Sequence, residues 1–139
     1  MASSEAKRIA HGYLERVLDA GDLAALDELV TEDVVLYGGS GKAFAGRETL
    51  RELLAKMALG VRRTSLDVMC ELAEGDTVVS LYTVRGVHVG EYYGVPATGR
   101  ALTTTAVNVM RVEHGRIAEI QVFMDASELL RQLTTPDDA

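Results

Sequence analysis

The chain has 139 residues, with 21 Asp and Glu against 14 Lys and Arg, and hence a formal net charge of −7. This length predicts one domain with a buried core, and a composition of 47% hydrophobic and 25% charged residues is typical of a globular protein. An acidic excess without a basic patch argues against nucleic acid or an anionic membrane as a partner. Because Cys70 is the only cysteine, a disulfide or a cysteine-based zinc site cannot form within one chain, and a reducing, cytoplasmic location is expected.

The sequence predicts neither a membrane anchor nor an export signal. No apolar run approaches the ~18 residues of a membrane span, and Glu5, Lys7 and Arg8 occupy the segment where a signal peptide would be apolar. We therefore expect one domain over residues 1–133, followed by a short acidic tail at 134–139.

The first part of the chain is patterned mainly as helices. Apolar side chains recur at helical spacing in three segments, and a short β-branched run between the second and third predicts a strand. Ser3 or Ser4 is the expected N-cap of the first helix, Gly21 its stop, and Asp22 the N-cap of the second. The expected elements are a helix over 4–20, a short helix after 22, a strand over 34–37 and a helix over 46–59.

Beyond Gly60 the apolar period changes from about 3.6 residues to about 2, which indicates strands. The loop over 90–99 contains three glycines and a proline, and it is either a lid over a cavity or a rigid hairpin loop. Strands joined by hairpin turns make an antiparallel sheet that the N-terminal helices must cover, so the expected fold class is α+β with two layers. The expected elements are strands over 66–72, 77–89, 101–112 and 117–125, a turn at 74–76 and a helix over 127–133.

The last predicted strand has large apolar residues on both faces. Helices can cover only one face of a sheet, so a second subunit is the natural cover for the other, and a homodimer is expected. One face carries Glu119, Gln121, Phe123 and Asp125, and the other carries Ile120, Val122 and Met124.

Several familiar signatures fail on inspection. Residues 38–42 hint at a phosphate loop, but Ala43 stands where Ser or Thr would bind magnesium, so this segment is expected to be a flexible turn. The glycines over 86–99 lack the spacing and the strand-to-helix setting of a dinucleotide site. The three histidines are scattered without a ligand-type pair, so no metal site is expected. Cys70 shares the parity of apolar neighbours and is interpreted as an inert buried thiol.

A longer ordered pattern begins at Arg85. Residues 86–99 read GVHVGEYYGVPATG, residues 111–119 read RVEHGRIAE, and Asp125 follows. This resembles the SnoaL-like polyketide cyclase family, whose pattern is approximately G-T-H-x-G-x-F-x-G-x-P-P-T-G followed by R-x-x-x-G-K-I-x-E-x-W-x-x-x-D. Turns and strand starts earlier in the chain fall in the same order, so the resemblance covers nearly the whole sequence. Three positions depart from the pattern, since Gln121 stands at the tryptophan, Ala97 at the second proline and Val87 at the threonine.

The resemblance implies a nuclear transport factor 2-like cone, in which a curved mixed sheet wraps around helices and encloses an apolar pocket. It further implies a cofactor-free enzyme of secondary metabolism that closes a ring in a polyketide-like small molecule by an intramolecular aldol reaction. The acid/base carboxylate of the family falls on Asp125, the motif histidine on His88, and a polar strand-end position on Tyr37.

Each of these residues also has a structural interpretation. In an apolar cavity Asp125 would be a better base than a solvated carboxylate, but it also stands where it would cap the final helix. His88 could donate to a developing enolate oxygen or simply hold a nearby backbone group. The remaining expected pocket residues supply hydrogen bonds or shape the wall, and they are Tyr37, Tyr92, Asn108, Gln121 and Phe123.

Two other classes of function stay open on this scaffold. The first is a cofactor-independent hydroxylase or an epoxide hydrolase, although no acid is expected to pair with Arg85 or Arg111 on the required strand faces. The second is a protein that binds a small molecule without catalysis.

Overall fold

A computed structural model describes residues 2–135. The chain begins with α1 (Ala2–Gly12), which continues without a break into a π-helical segment (Tyr13–Asp19). A 3₁₀ turn (Leu23–Ala25) and α2 (Leu26–Leu29) follow, and α3 (Arg47–Gly60) and α4 (Ala126–Thr134) come later in the chain. No helix in the described part of the chain is both long and apolar enough to cross a membrane.

Six strands form one sheet in the order β2-β1-β6-β5-β4-β3. β1 and β6 are parallel and all other neighbours are antiparallel, so the sheet is mixed. Most neighbouring strands are connected by tight turns, whereas β1 and β6 pair although they are far apart in the sequence. The strands are β1 (Val30–Tyr37), β2 (Ala43–Ala45), β3 (Val61–Glu74), β4 (Thr77–His88), β5 (Ala101–Glu113) and β6 (Arg116–Met124).

The core lies between the N-terminal helices and the concave face of the sheet. Tyr13, Leu14 and Val17 of the π-helical segment are buried against this face, because the helical spacing of the apolar residues turns them all toward the sheet. The inward-facing residues of the sheet are buried with them, and they include Val34, Val78, Met110, Ile117 and Ile120. This α+β arrangement confirms the fold class expected from the sequence.

The helix starts differ from the sequence prediction. α1 already begins at Ala2, so Ser3 and Ser4 are inside the helix and do not cap it. Asp22 precedes the 3₁₀ turn but makes no side-chain cap hydrogen bond. At the other end, Thr134 belongs to α4 rather than to a tail, and the rest of the predicted tail, from residue 136 onward, lies outside the described residues.

Three strands, β1, β3 and β5, are longer than predicted, and one strand was missed. The segment after the Gly38–Lys42 turn pairs with β1 as the short strand β2. β3 has irregular register between Val68 and Cys70, and this shift turns Cys70 to the outer face of the sheet. The prediction of a buried thiol is therefore wrong, because Cys70 is exposed.

Candidate functional site

The concave side of the sheet contributes to a pocket of about 150 Å³. Its sheet walls are inward-facing side chains of β3 to β6, and helical residues and the loop after β4 complete it. The lining is mostly apolar, as is typical of sites for hydrophobic small molecules. The apolar sheet residues are Val61, Leu66, Val84, Gly86, Leu102, Ala106, Val122 and Met124, and the other apolar residues are Leu18, Met57, Ala58 and Leu129.

Four polar side chains also line the pocket, namely Arg63, Tyr82, Tyr92 and Thr104. Arg63 is half-buried, and its Nη1 donates a hydrogen bond to the backbone oxygen of Asp19 at 3.3 Å. Burial raises the pKa of Tyr82 well above its ordinary value and that of Tyr92 to about 12. Both phenols are therefore neutral near pH 7, and Arg63 is the only charged side chain among the lining residues.

A buried polar pair adjoins the pocket. The Tyr82 hydroxyl donates a 2.8 Å hydrogen bond to Oδ1 of Asn108, and both residues are buried. Nδ2 of Asn108 has no hydrogen-bond partner in the described part of the chain. The sequence prediction placed Asn108 in the pocket, whereas it lies behind the lining residue Tyr82 on the same inward face.

His88, predicted to be catalytic, is fully buried and is not among the lining residues. Its Nδ1 accepts a hydrogen bond from the backbone N–H of Thr98 at 3.2 Å and lies 2.9 Å from Oγ1 of Thr98. The backbone N–H of His88 also donates to Arg100, and that of Gly99 donates to the His88 oxygen, both at 2.9 Å. Since Nδ1 accepts, the proton is on Nε2. These contacts are those of a residue that anchors the loop.

The loop after β4 is also fixed by contacts within the loop and with α3. Tyr92 and Val95 exchange two backbone hydrogen bonds of 3.0 and 2.9 Å, and Tyr92 faces the pocket. Gly90 packs so closely on α3 that a Cβ there would lie 2.2 Å from the backbone oxygen of Leu59. Of the two interpretations of this loop, the contacts favour the rigid hairpin over the lid.

Asp125 is exposed and is the N-cap of α4. Its Oδ1 accepts a 3.0 Å hydrogen bond from the backbone N–H of Glu128, which is the capping interaction considered for it from the sequence. Its carboxylate is not among the pocket-lining groups, but Met124 immediately before it and Leu129 one turn later both are. Asp125 therefore belongs to a segment that borders the pocket.

The prediction that Gln121 and Phe123 shape the pocket is wrong. β6 turns Val122 and Met124 inward, while Gln121 and Phe123 face outward and Phe123 is 49% exposed. The register aligns Tyr37 with Gln121 across the β1–β6 pair, so Tyr37 also lies on the outer face.

Arg85 and Arg111 do have acidic partners, but not on the strand faces that line the pocket. Arg85 pairs with Asp67 at 3.0 Å, and Arg111 pairs with Glu113 at 2.6 Å and with Glu119 at 3.6 Å. These ion pairs are exposed on the outer face and do not line the pocket. They therefore do not form an acid–arginine–acid arrangement within it.

Sequence reasoning missed Arg63, because the strand before the 74–76 turn was predicted to begin only at Leu66. The length of β4 could have shown that β3 starts earlier, because a 12-residue strand needs a partner of similar length to pair along its whole length. Extending β3 backward on that ground brings Arg63 opposite Gly86, a lining residue of β4. The described residues contain no group of three or more His, Cys, Asp or Glu that could hold a metal ion.

A mixed sheet around helices, with an apolar pocket on its concave side, is the nuclear transport factor 2-like fold. Within that class the sequence profile of the SnoaL-like polyketide cyclases matches residues 8–133, and the chain belongs to this family. The comparison with curated proteins finds no match.

Solved structures share this fold. A protein from Jannaschia sp. CCS1, provisionally described as a SnoaL-like polyketide cyclase, has a TM-score of 0.91 at 21% identity, with 97% of this chain and 95% of that chain covered. IdmH from Streptomyces antibioticus, provisionally described as a polyketide cyclase, has a TM-score of 0.79 at 29% identity, with coverage of 92% and 97%. An epoxide hydrolase from M. tuberculosis has a TM-score of 0.75 at 19% identity, with coverage of 94% and 90%.

Proposed function

We propose that this chain is a cytoplasmic enzyme that closes a ring in a polyketide-like small molecule by an aldol reaction, without a cofactor. The observation that carries the proposal is the apolar pocket of about 150 Å³ in a SnoaL-like cyclase fold. Apolar walls can hold a flexible chain in the folded shape that ring closure requires, and this proximity removes much of the entropic barrier.

The proposed reaction needs one base that later acts as an acid. Asp125 removes a proton from the carbon next to a carbonyl, the resulting carbanion attacks a second carbonyl carbon to form the new C–C bond, and the alkoxide takes the proton back from Asp125. Asp125 is proposed for this role because it lies between the lining residues Met124 and Leu129 and the family resemblance assigns it the acid/base position. The capping bond uses only one of its carboxylate oxygens in the described structure.

Product mass tests the reaction class. The protein is incubated with aromatic β-keto esters that carry a ketone placed to close a six-membered ring, and the products are analysed by mass spectrometry. Cyclisation gives a product of unchanged mass, or one that has lost a water. A product that gains one oxygen atom indicates a hydroxylase, and an epoxide probe that gains one water indicates a hydrolase. Tight binding with the probe recovered at both its original mass and its original chromatographic retention time indicates a binding protein, whereas a cyclised isomer of the same mass elutes at a different time. Each of the last three results contradicts the proposal.

Two substitutions separate the catalytic role of Asp125 from its capping role. Asn and Ser are N-caps about as good as Asp, so Asp125→Asn and Asp125→Ser keep the cap and remove the carboxylate. We expect both variants to keep the melting temperature within a few degrees and to lose about 100-fold or more in turnover, as is typical for loss of a general base. The control Ser127→Ala changes an exposed residue in the first turn of α4 and leaves turnover unchanged. Near full turnover in Asp125→Asn would remove Asp125 from the mechanism.

We also propose that the protein is a homodimer formed through the outer face of the sheet. Leu72, Val79 and Phe123 are exposed there, and monomeric proteins rarely leave such a patch uncovered. Light scattering at micromolar concentration should give twice the chain mass, and Phe123→Asp should give the monomer mass. Leu59→Asp is the matched control, since Leu59 is 76% exposed but belongs to α3 rather than to this face. A monomer mass for the unmodified protein would refute the proposal.

A further inference from the structure

The charge distribution in the pocket is one-sided. Among the described residues, Arg63 is the only charged one in the lining, and no Asp or Glu accompanies it there. The ion pairs found among residues 2–135 involve other arginines and His11, and none includes Arg63. The net charge of −7 therefore does not predict the charge of the pocket interior, where the cationic side chain of Arg63 lies.

The surroundings of Arg63 leave most of its hydrogen-bonding capacity unused. A guanidinium has five N–H donors, and within the described part of the chain Arg63 makes one hydrogen bond, to the backbone oxygen of Asp19. Burial lowers its pKa, although the Asp19 carboxylate partly opposes this, and the hydroxyls of Tyr13, Tyr82 and Tyr92 act on it electrostatically. Burial raises the pKa of all three phenols, so they are neutral and supply no counter-charge.

We propose that Arg63 recognises an anionic oxygen on the ligand, either a carboxylate or an enolate, while the apolar walls hold the rest of the molecule. A partly desolvated guanidinium gains most from a charged acceptor, because charge-assisted hydrogen bonds are about twice as strong as neutral ones. The inference deepens the proposed function by naming the substrate class, and it rests on that function only in taking this pocket as the substrate site. An enolate is also the species that the proposed proton removal creates, so the same contact would stabilise it.

The test uses two matched pairs of flat aromatic probes. Naphthoate and its neutral analogue naphthamide test carboxylate recognition, and the enolate of lawsone and its neutral methyl ether test enolate recognition. Binding is measured by titration calorimetry on the full chain at neutral pH. We expect the anion of at least one pair to bind about tenfold more tightly than its neutral partner, which is the usual scale for a hydrogen bond to a charged group. The responding pair identifies which anion Arg63 recognises.

Variants assign the discrimination to this side chain. Arg63→Gln should reduce anion binding about tenfold to the level of the neutral probe, and Arg63→Lys should keep part of the preference because it keeps the charge. Arg62→Gln is the matched control, since Arg62 is the exposed neighbour on the same strand and is absent from the lining. If Arg63→Gln does not fold, the probe ratio of the unmodified protein and of Arg63→Lys still decides the question.

The outcomes separate this inference from the proposed function. Equal affinity for anion and neutral probe, no binding of either, or a preference that survives Arg63→Gln overturns the role of Arg63, even if the protein closes rings. A preference that depends on Arg63 in a protein that performs no ring closure supports the anion site and contradicts the proposed reaction.

Discussion

The buried Tyr82–Asn108 pair allows a quantitative prediction about stability. Tyr82→Phe removes the hydroxyl that donates to Oδ1 of Asn108 at 2.8 Å. Because Nδ2 of Asn108 already has no partner among residues 2–135, the variant leaves the whole amide buried and unsatisfied there. Loss of the hydrogen bond and desolvation of the orphaned acceptor together predict a loss of about 2–3 kcal/mol in the free energy of unfolding.

A double-mutant cycle isolates this effect. Asn108→Leu removes the amide together with its unpaired Nδ2 but leaves the buried Tyr82 hydroxyl without its acceptor, so it should cost about 1–3 kcal/mol. In the Asn108→Leu background, Tyr82→Phe should then cost almost nothing, which gives a coupling energy of about 2 kcal/mol. Tyr93→Phe is the control, since Tyr93 is 49% exposed and no hydrogen bond of its hydroxyl is found among the described residues.

Urea denaturation at one fixed chain concentration measures these values, and the slopes should be equal so that the midpoints can be compared. A fully additive cycle would refute the reasoning, because it would show that the hydroxyl and the amide do not satisfy each other. A loss below about 0.5 kcal/mol for Tyr82→Phe alone would do the same, since ordinary surface changes have effects of that size.

Two further predictions concern an exposed ion pair and a tight backbone contact. The Arg131 guanidinium lowers the pKa of Glu128 from 4.5 to about 2, so this pair stabilises the fold above pH 4.5 and its contribution is lost as the pH falls toward 2. The melting temperature of Arg131→Gln should therefore lie below that of the unmodified protein at pH 7 and approach it near pH 2. A difference in melting temperature that does not change with pH would contradict this reasoning. Gly90→Ala should destabilise the protein by about 1–3 kcal/mol, because the added methyl group overpacks the site. Gly39→Ala should have little effect, since its added Cβ would lie 3.9 Å from its nearest contact. Equal melting temperatures for these two variants would contradict the packing argument.

The architecture could be predicted because its signals are local and repeated. The change of apolar period near Gly60 separates helices from strands, and tight turns such as the one at Gly75 make neighbouring strands antiparallel. The parallel pairing of β1 with β6 could not be derived from local pattern, because it joins residues such as Tyr37 and Gln121 that are far apart in the chain.

The orientation of side chains was harder to predict than the elements. On β6 both faces carry large apolar groups, so alternation alone could not decide whether Val122 or Phe123 faces the pocket. On β3, the register shift between Val68 and Cys70 breaks the alternation that the interpretation of Cys70 used. The alternating pattern does not indicate this shift. Arg63 was missed for a related reason, because the predicted strand was too short to include it.

The anchored loop after β4 also determines how a ligand can reach the pocket. Its ends are tied by the contacts of His88 with Thr98 and of Gly90 with Leu59, so we expect the loop backbone to stay in place and the pocket-lining side chain of Tyr92 to be the part of the loop that moves. Side-chain rotations occur within picoseconds to nanoseconds, far faster than the opening of a loop or a domain. Ligand exchange should therefore depend on molecular size and affinity, without a separate slow gating step, so that association rates remain linear with ligand concentration.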